Sequence, residues 1–138
     1  MSEENVEIVR KLIVALQEGL ERGDPGAAYD MGTLAADAEW VTPDLMGGES
    51  FIGREGFIEF MRRWTEDFDD WVVQIEQLID AGDDRVVGLF HQRATGRNSG
   101  VPVELEQAVV YDLDRGRVVR MRNYTDRTKA LEAAGLSD

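Results

Sequence analysis

Residues 85–125 read RVVGLFHQRATGRNSGVPVELEQAVVYDLDRGRVVRMRNYT. The stretch is punctuated at Asn98-Ser99-Gly100 and at Asp114-Arg115-Gly116. Asn, Asp and Gly tolerate the left-handed backbone that tight turns demand. Between the turns the chain is rich in Val, Leu, Phe and Tyr, which suit a pleated surface. The pattern predicts three long strands, over 85–97, 102–113 and 117–125, joined as hairpins. A fourth strand precedes them: Trp71, Val73, Ile75 and Ile79 alternate with Gln74, Glu76 and Asp80, and Gly82-Asp83-Asp84 turns the chain.

Upstream of Trp71 the period is helical. Val6, Val9, Leu12, Ile13, Leu16 and Leu20 share one face of a helix over 3–22, with Glu3 and Glu4 at its positive end and Gly23 placed to stop it. A short second helix carrying Ala28, Met31 and Leu34 is expected after Asp24-Pro25. Ala38–Thr42 reads as a short strand stopped by Pro43, and 43–53 as a glycine-rich loop. Arg54 to Phe68 forms another helix, with Phe57, Met61, Trp64 and Phe68 on one side. From Asp126 to Leu136 a short terminal helix ends at Gly135. Helices followed by an antiparallel meander make an α+β fold. Long strands curl, and a curled sheet holding helices in its concave face encloses a cone whose open end is a natural pocket.

The 138 residues fit one domain over 1–138, and 43% hydrophobic content suffices for a core. No apolar run approaches the roughly 20 residues that span a bilayer, so no membrane association is expected. The acidic start Met1-Ser2-Glu3-Glu4 is unlike a signal peptide, and a cytoplasmic location is expected. Zero cysteines exclude a disulfide, a thiolate metal site and a cysteine nucleophile. A net charge of -13 repels phosphate backbones, so no nucleic-acid partner is expected. One histidine and scattered carboxylates at no ligand spacing predict no metal, and no cofactor is implied.

The phrases "ENVEIVRKLIVAL", "ERGDPGAAYDM", "DAEWVTP", "FIGREGFIEFMRRW" and "DRGRVVRMRNYTDRTKALEAAG" cover almost the whole chain. In this order they resemble the NTF2-like superfamily, and within it the SnoaL-like, polyketide cyclase-like branch. The resemblance implies a cone-shaped fold, with three N-terminal helices packed on a curved, mostly antiparallel sheet. It also implies a homodimer through the outer sheet face. The superfamily spans cyclases, isomerases, hydrolases and non-catalytic binding modules, so the fold leaves the activity open. Binding of a small apolar or aromatic molecule in the cone is the leading expectation. Acid–base chemistry of cyclase, isomerase or hydrolase type is the catalytic version of it, and a non-catalytic dimeric binding or protein-interaction module is the alternative.

The resemblance also points to positions. Where the steroid-isomerase branch carries a general-base aspartate, this chain has Thr42, whose hydroxyl is no base near neutrality. Asp44 lies just beyond the proline. The polar residue, histidine and aspartate of the cyclases fall on Gln107, Val109 and Asn123. A carboxamide can orient an oxygen but cannot shuttle a proton. That leaves His91 and Arg93, two apart on the third meander strand, as a candidate base and oxyanion holder, with Asn123 beside them. Both also fit as ordinary strand residues, Arg93 pairing with Glu104 or Glu106 across the hairpin. Trp40, Trp64 and Tyr111 are candidate aromatic walls, and Met46 and Phe51 a candidate lid. If Val87, Leu89, His91 and Arg93 face inward, the outer face carries Val86, Phe90 and Val110.

Overall fold

The computed structural model describes residues 2–24, 26, 29, 32–42 and 49–136. Helix α1 (Ser2–Glu21) is followed by β1 (Leu34–Val41), β2 (Ser50–Ile52) and α2 (Gly53–Asp67). Then come β3 (Phe68–Gly82), β4 (Arg85–Gly96), β5 (Pro102–Asp114), β6 (Arg117–Tyr124) and α3 (Arg127–Ala133). The strands form one curved open sheet in the order β2-β1-β6-β5-β4-β3. Only the β1–β6 pair is parallel.

Local chemistry accounts for the element ends. At the end of α1, the Asp24 amide donates to the Gly19 carbonyl and the Gly23 amide to that of Leu20. With Gly23 at φ +74°, this is a Schellman stop. Asp83 and Asp84, at φ +52° and +58°, form the two-residue β3–β4 turn whose twist suits a hairpin. The Asp126 carboxylate caps α3 by accepting from the amides of Thr128 and Lys129.

The helices divide between two faces. On the inner face, Val9, Leu12 and Ile13 of α1 and Phe57, Phe60 and Met61 of α2 pack with Trp40, Val86, Phe90, Val109, Tyr111 and Met121 of the sheet. On the outer face, Ala130 and Ala134 cover Val87, Ala108 and Val110. Any pairing of copies through the outer face therefore has to use the part that α3 leaves open.

Two expectations about the fold need correction. Only α1 and α2 precede the meander among the described residues, and the third helix is the C-terminal α3. Leu34, expected on a helix, starts β1: Gly32 takes φ +76°, which interrupts a helical run, and the Thr33 carbonyl already accepts from the Val118 amide of β6. Ala28 and Met31 lie outside the described residues. The second correction concerns the faces of β4. Val86 and Phe90 belong to the inner core, and Val87 and Leu89 to the outer cluster. Val86 and Val87 are both fully buried, because α3 covers the outer face as the other helices cover the inner one. Alternation then carries no information about phase.

Candidate functional site

A cavity opens between α1, α2 and the inner face of the meander. Leu16, Gln17 and Leu20 reach it from α1, and Phe60, Met61 and Trp64 from α2. The sheet contributes Trp40 (β1), Trp71 and Val73 (β3), Phe90 and Gln92 (β4), Gln107, Val109 and Tyr111 (β5) and Asn123 (β6). About 60 Å³ is open to the centre of a water-sized sphere. At roughly 10–15 Å³ per water on that measure, several waters or one small organic molecule fit.

The walls are aromatic. The Trp40 ring meets Phe57 at 5.2 Å and Phe60 at 5.1 Å between centroids, and Trp64 meets Trp71 at 5.5 Å and Phe68 at 4.7 Å. The polar groups are neutral. The Trp71 indole N–H donates to Gln92 Oε1 at 2.7 Å, and Gln107 Nε2 donates to Asn123 Oδ1. Gln17 Oε1 accepts from the Val73 amide at 3.4 Å. Asn123 is 0% exposed and Gln92 3%. Nε1 of Trp40, Nε1 of Trp64 and Nδ2 of Asn123 are buried with no partner. Among the described residues Tyr111 is the one ionisable residue lining the cavity, and burial pushes its phenol above the ordinary value of 10.0.

The hairpin registers explain why these residues meet. Val109 stands directly opposite Asn123, and Tyr111 opposite Met121. Gln107 and Tyr111 flank Val109 at the period of two, so all three address the same face. On β4 that face carries Phe90 and Gln92. His91 and Arg93 point the other way. His91 is half-buried on the outer face, with Nε2 3.1 Å from Glu104 Oε1, and Arg93 is exposed opposite Glu104. Neither lines the cavity. Inward orientation of this pair was the condition for their serving the pocket, and the register places them outside it.

Of the other predicted positions, Trp40, Trp64, Gln107, Val109, Tyr111 and Asn123 gather around this cavity. Thr42 does not. It is 0% exposed, and its hydroxyl donates to the Glu49 carbonyl at 2.8 Å, holding β1 to the start of β2. Phe51 is no lid: it is buried in β2, opposite Trp40 and packed on Phe60. Asp44 and Met46 fall outside the described residues. Sequence reasoning missed Trp71, Gln92 and Gln17. Gln92 follows the inward Phe90 by two, so a correct phase for β4 would have found it. Among the described residues no group of three potential metal-ligating side chains is clustered. No described helix is long and apolar enough to cross a membrane.

The fold is that of a known family. Residues 13–121 match the model of the SnoaL-like domain. The chain belongs to the SnoaL-like family. Solved structures agree with the fold. One is an NTF2-like protein of unknown function from Burkholderia pseudomallei, 24% identical over 94% of this chain and 95% of its own, with a TM-score of 0.72. Another is TerC co-crystallised with polyporic acid, 23% identical over 96% and 98%, TM-score 0.72. A third, from Jannaschia sp. CCS1, bears the name of a SnoaL-like polyketide cyclase, and is 19% identical over 99% and 95%, TM-score 0.72. Likenesses at this identity establish the fold. No curated protein matches the chain.

Proposed function

We propose that this SnoaL-like chain binds a small, largely apolar molecule in the cavity and holds it without acid–base chemistry. The observation that carries the reading is the composition of the lining. Among the described residues it holds seven aromatic side chains, Trp40, Phe57, Phe60, Trp64, Trp71, Phe90 and Tyr111, together with neutral amides and no carboxylate, histidine, lysine or arginine. A general acid or base needs a pKa near the working pH. Tyr111, shifted upward, moves away from that range. The relative TerC, co-crystallised with polyporic acid, supports a ligand-holding role for the shared fold. Non-catalytic binding is thereby favoured over the cyclase, isomerase or hydrolase versions.

The test fills the cavity. Val109 lies in its wall and is 3% exposed. Val109→Phe is expected to abolish the thermal stabilisation that bicyclic aromatic compounds give the wild type, since a ligand raises the melting temperature only by binding the native state. Retained stabilisation in a folded Val109→Phe variant would place the binding elsewhere and end this reading.

A further inference from the structure

Gly88 has no backbone reason to be glycine. It sits inside β4, opposite Leu78 of β3 on one side and Val109 of β5 on the other. Its φ lies outside the left-handed region that favours glycine. Glycine within a strand costs backbone entropy and packs nothing, so the position marks a bulge, a bend or the close approach of another group. The β4–β5 ladder runs through Gly88 without a shift, and the β3–β4 ladder is regular from Gln77 to Asp80. Close approach is the reason that remains.

The group that approaches is the ring of Phe90. A Cβ at position 88 would stand 2.6 Å from Cζ and 2.8 Å from Cε2 of Phe90, and 3.3 Å from Cδ2 of Leu78. Carbon atoms in ordinary contact sit about 3.5–4.0 Å apart. Residues 88, 90 and 92 share the inner face at the period of two. A side chain on a strand leans along it, and Phe90 leans toward Gly88. Its ring fills the notch that the missing side chain leaves. On the other side of Phe90 lie Gln92 and, across β5, Gln107, and both line the cavity. Phe90 is itself a cavity wall and only 2% exposed, so the open volume beside the ring is the cavity.

Building on the binding role proposed above, we infer that Gly88 and Phe90 together set the size of molecule that the cavity accepts. The notch at Gly88 parks the Phe90 ring against the sheet. A side chain at 88 expels the ring, and the ring then takes up space that a ligand would fill. Gly88 touches no ligand in this scheme. It is a positioning residue that acts through Phe90.

The test measures calorimetric affinities of benzene, naphthalene and biphenyl, three apolar probes of rising size. Gly88→Ala is expected to weaken naphthalene about 10-fold or more and benzene about threefold or less, since forcing excess volume into a packed site is costly. Gly88→Ala combined with Phe90→Leu removes the atoms that collide, and should return naphthalene to within about threefold of the wild type. A loss of fold stability alone would not depend on probe size. A crystal structure of Gly88→Ala should show the Phe90 ring moved off position 88 into the cavity. If Gly88→Ala alone does not fold, Phe90→Leu decides. It empties the notch into the cavity, and should raise affinity for biphenyl relative to naphthalene about threefold or more. A naphthalene-to-benzene ratio unchanged in Gly88→Ala, a ring that stays in place, or a biphenyl-to-naphthalene ratio unchanged in Phe90→Leu would overturn the size limit while leaving the binding role intact. If the wild type binds none of the three probes, the binding role and the size limit fall together.

Discussion

On the inner face of β5 and β6, Gln107 and Asn123 meet as neutral amides in a buried cavity. One residue away on the outer face, Glu106 and Arg122 carry full charges. The outer charges find counter-charges. Asp112 takes Arg85 Nε at 2.7 Å and Arg122 at 3.4 Å, and Arg127 of α3 reaches both Glu76 and Glu106. The inner groups are weaker dipoles, yet two indoles and an amide among them lack partners. The outer face is built for stability, with charges in pairs and an apolar patch covered by the chain's own helix. Buried nitrogens without a hydrogen-bond partner occur on both faces, in Trp40, Trp64 and Asn123 on the inner one and at Nε of Arg122 and Arg127 on the outer one, where the arginines still have carboxylates nearby.

Burial without polarity should be the most sensitive feature, and it lies on the outer face. Val87 is 0% exposed among Ala108, Val110 and the alanines of α3. Val87→Asp places a carboxylate there with no counter-ion, and it should lower stability by about 4 kcal/mol or more. Arg93→Asp, on the same strand and face but exposed, should cost no more than about 0.5 kcal/mol. Urea midpoints compare the two. Similar costs would mean that α3 does not cover the sheet as described.

The next effect belongs to the inner face. Asn123→Leu strands the Gln107 N–H in a buried site and should cost about 1–3 kcal/mol. Adding Gln107→Met removes the stranded donor, so the double variant should recover most of that loss. An additive double variant would show that the two amides do not act as a pair.

The strands were legible in sequence because Asp-Asp, Asn-Ser-Gly and Arg-Gly turns separate them, and a turn residue acts locally. Gln107, Val109, Tyr111 and Asn123 could be placed on one face because the Asp114–Arg117 hairpin is short enough to count across. The phase of β4 was not legible. Val86, Val87 and Gly88 are all buried, so the usual contrast between an apolar and a polar face disappears where both faces are covered. The covering helix α3 is itself short, and nothing local to it tells which strand face it will close. Bulges in β3, at Asp69/Val72 and Ile75/Gln77, shift register there too, and no sequence period reports them. The pairing of Trp71 with Gln92 lies across that irregular ladder and became visible only in three dimensions.

A smaller effect should come from the clamp between α3 and the sheet. Arg127 is partly exposed, and its partners Glu76 and Glu106 are more so. Pairs of this kind contribute about 0.5–1 kcal/mol at most and are screened by salt. Arg127→Met keeps the apolar stem over the sheet and removes the charge. Its deficit should shrink in about 1 M NaCl, where the Debye length falls to about 3 Å. A deficit unchanged by salt would assign the role of Arg127 to packing.

The smallest effect lies on α2, away from both faces, and is best read against pH. Glu59 accepts from Arg62 Nε at 2.9 Å and from Arg63 Nε at 3.0 Å. These hydrogen bonds, Arg62 first and then Arg63, lower its carboxyl from 4.5 to about 2. A carboxyl lowered by folding stabilises the native state fully above its unfolded pKa, and that contribution drains away as pH falls through the folded value. The window for Glu59 is therefore from about pH 4.5 down to about 2. Glu59→Gln cannot titrate, so it should be slightly less stable than the wild type at pH 6, with a gap that closes across this window. The side chain is partly exposed to solvent, which keeps the gap small. The inner cavity predicts no counterpart in this range, because among the described residues it is lined by no carboxylate or histidine. Ligand affinity should accordingly stay flat from pH 6 down to the onset of acid unfolding, while the Glu59 gap begins to close. An affinity that tracked this window would reveal a carboxylate acting on the cavity and would erase the electrostatic contrast between the two faces.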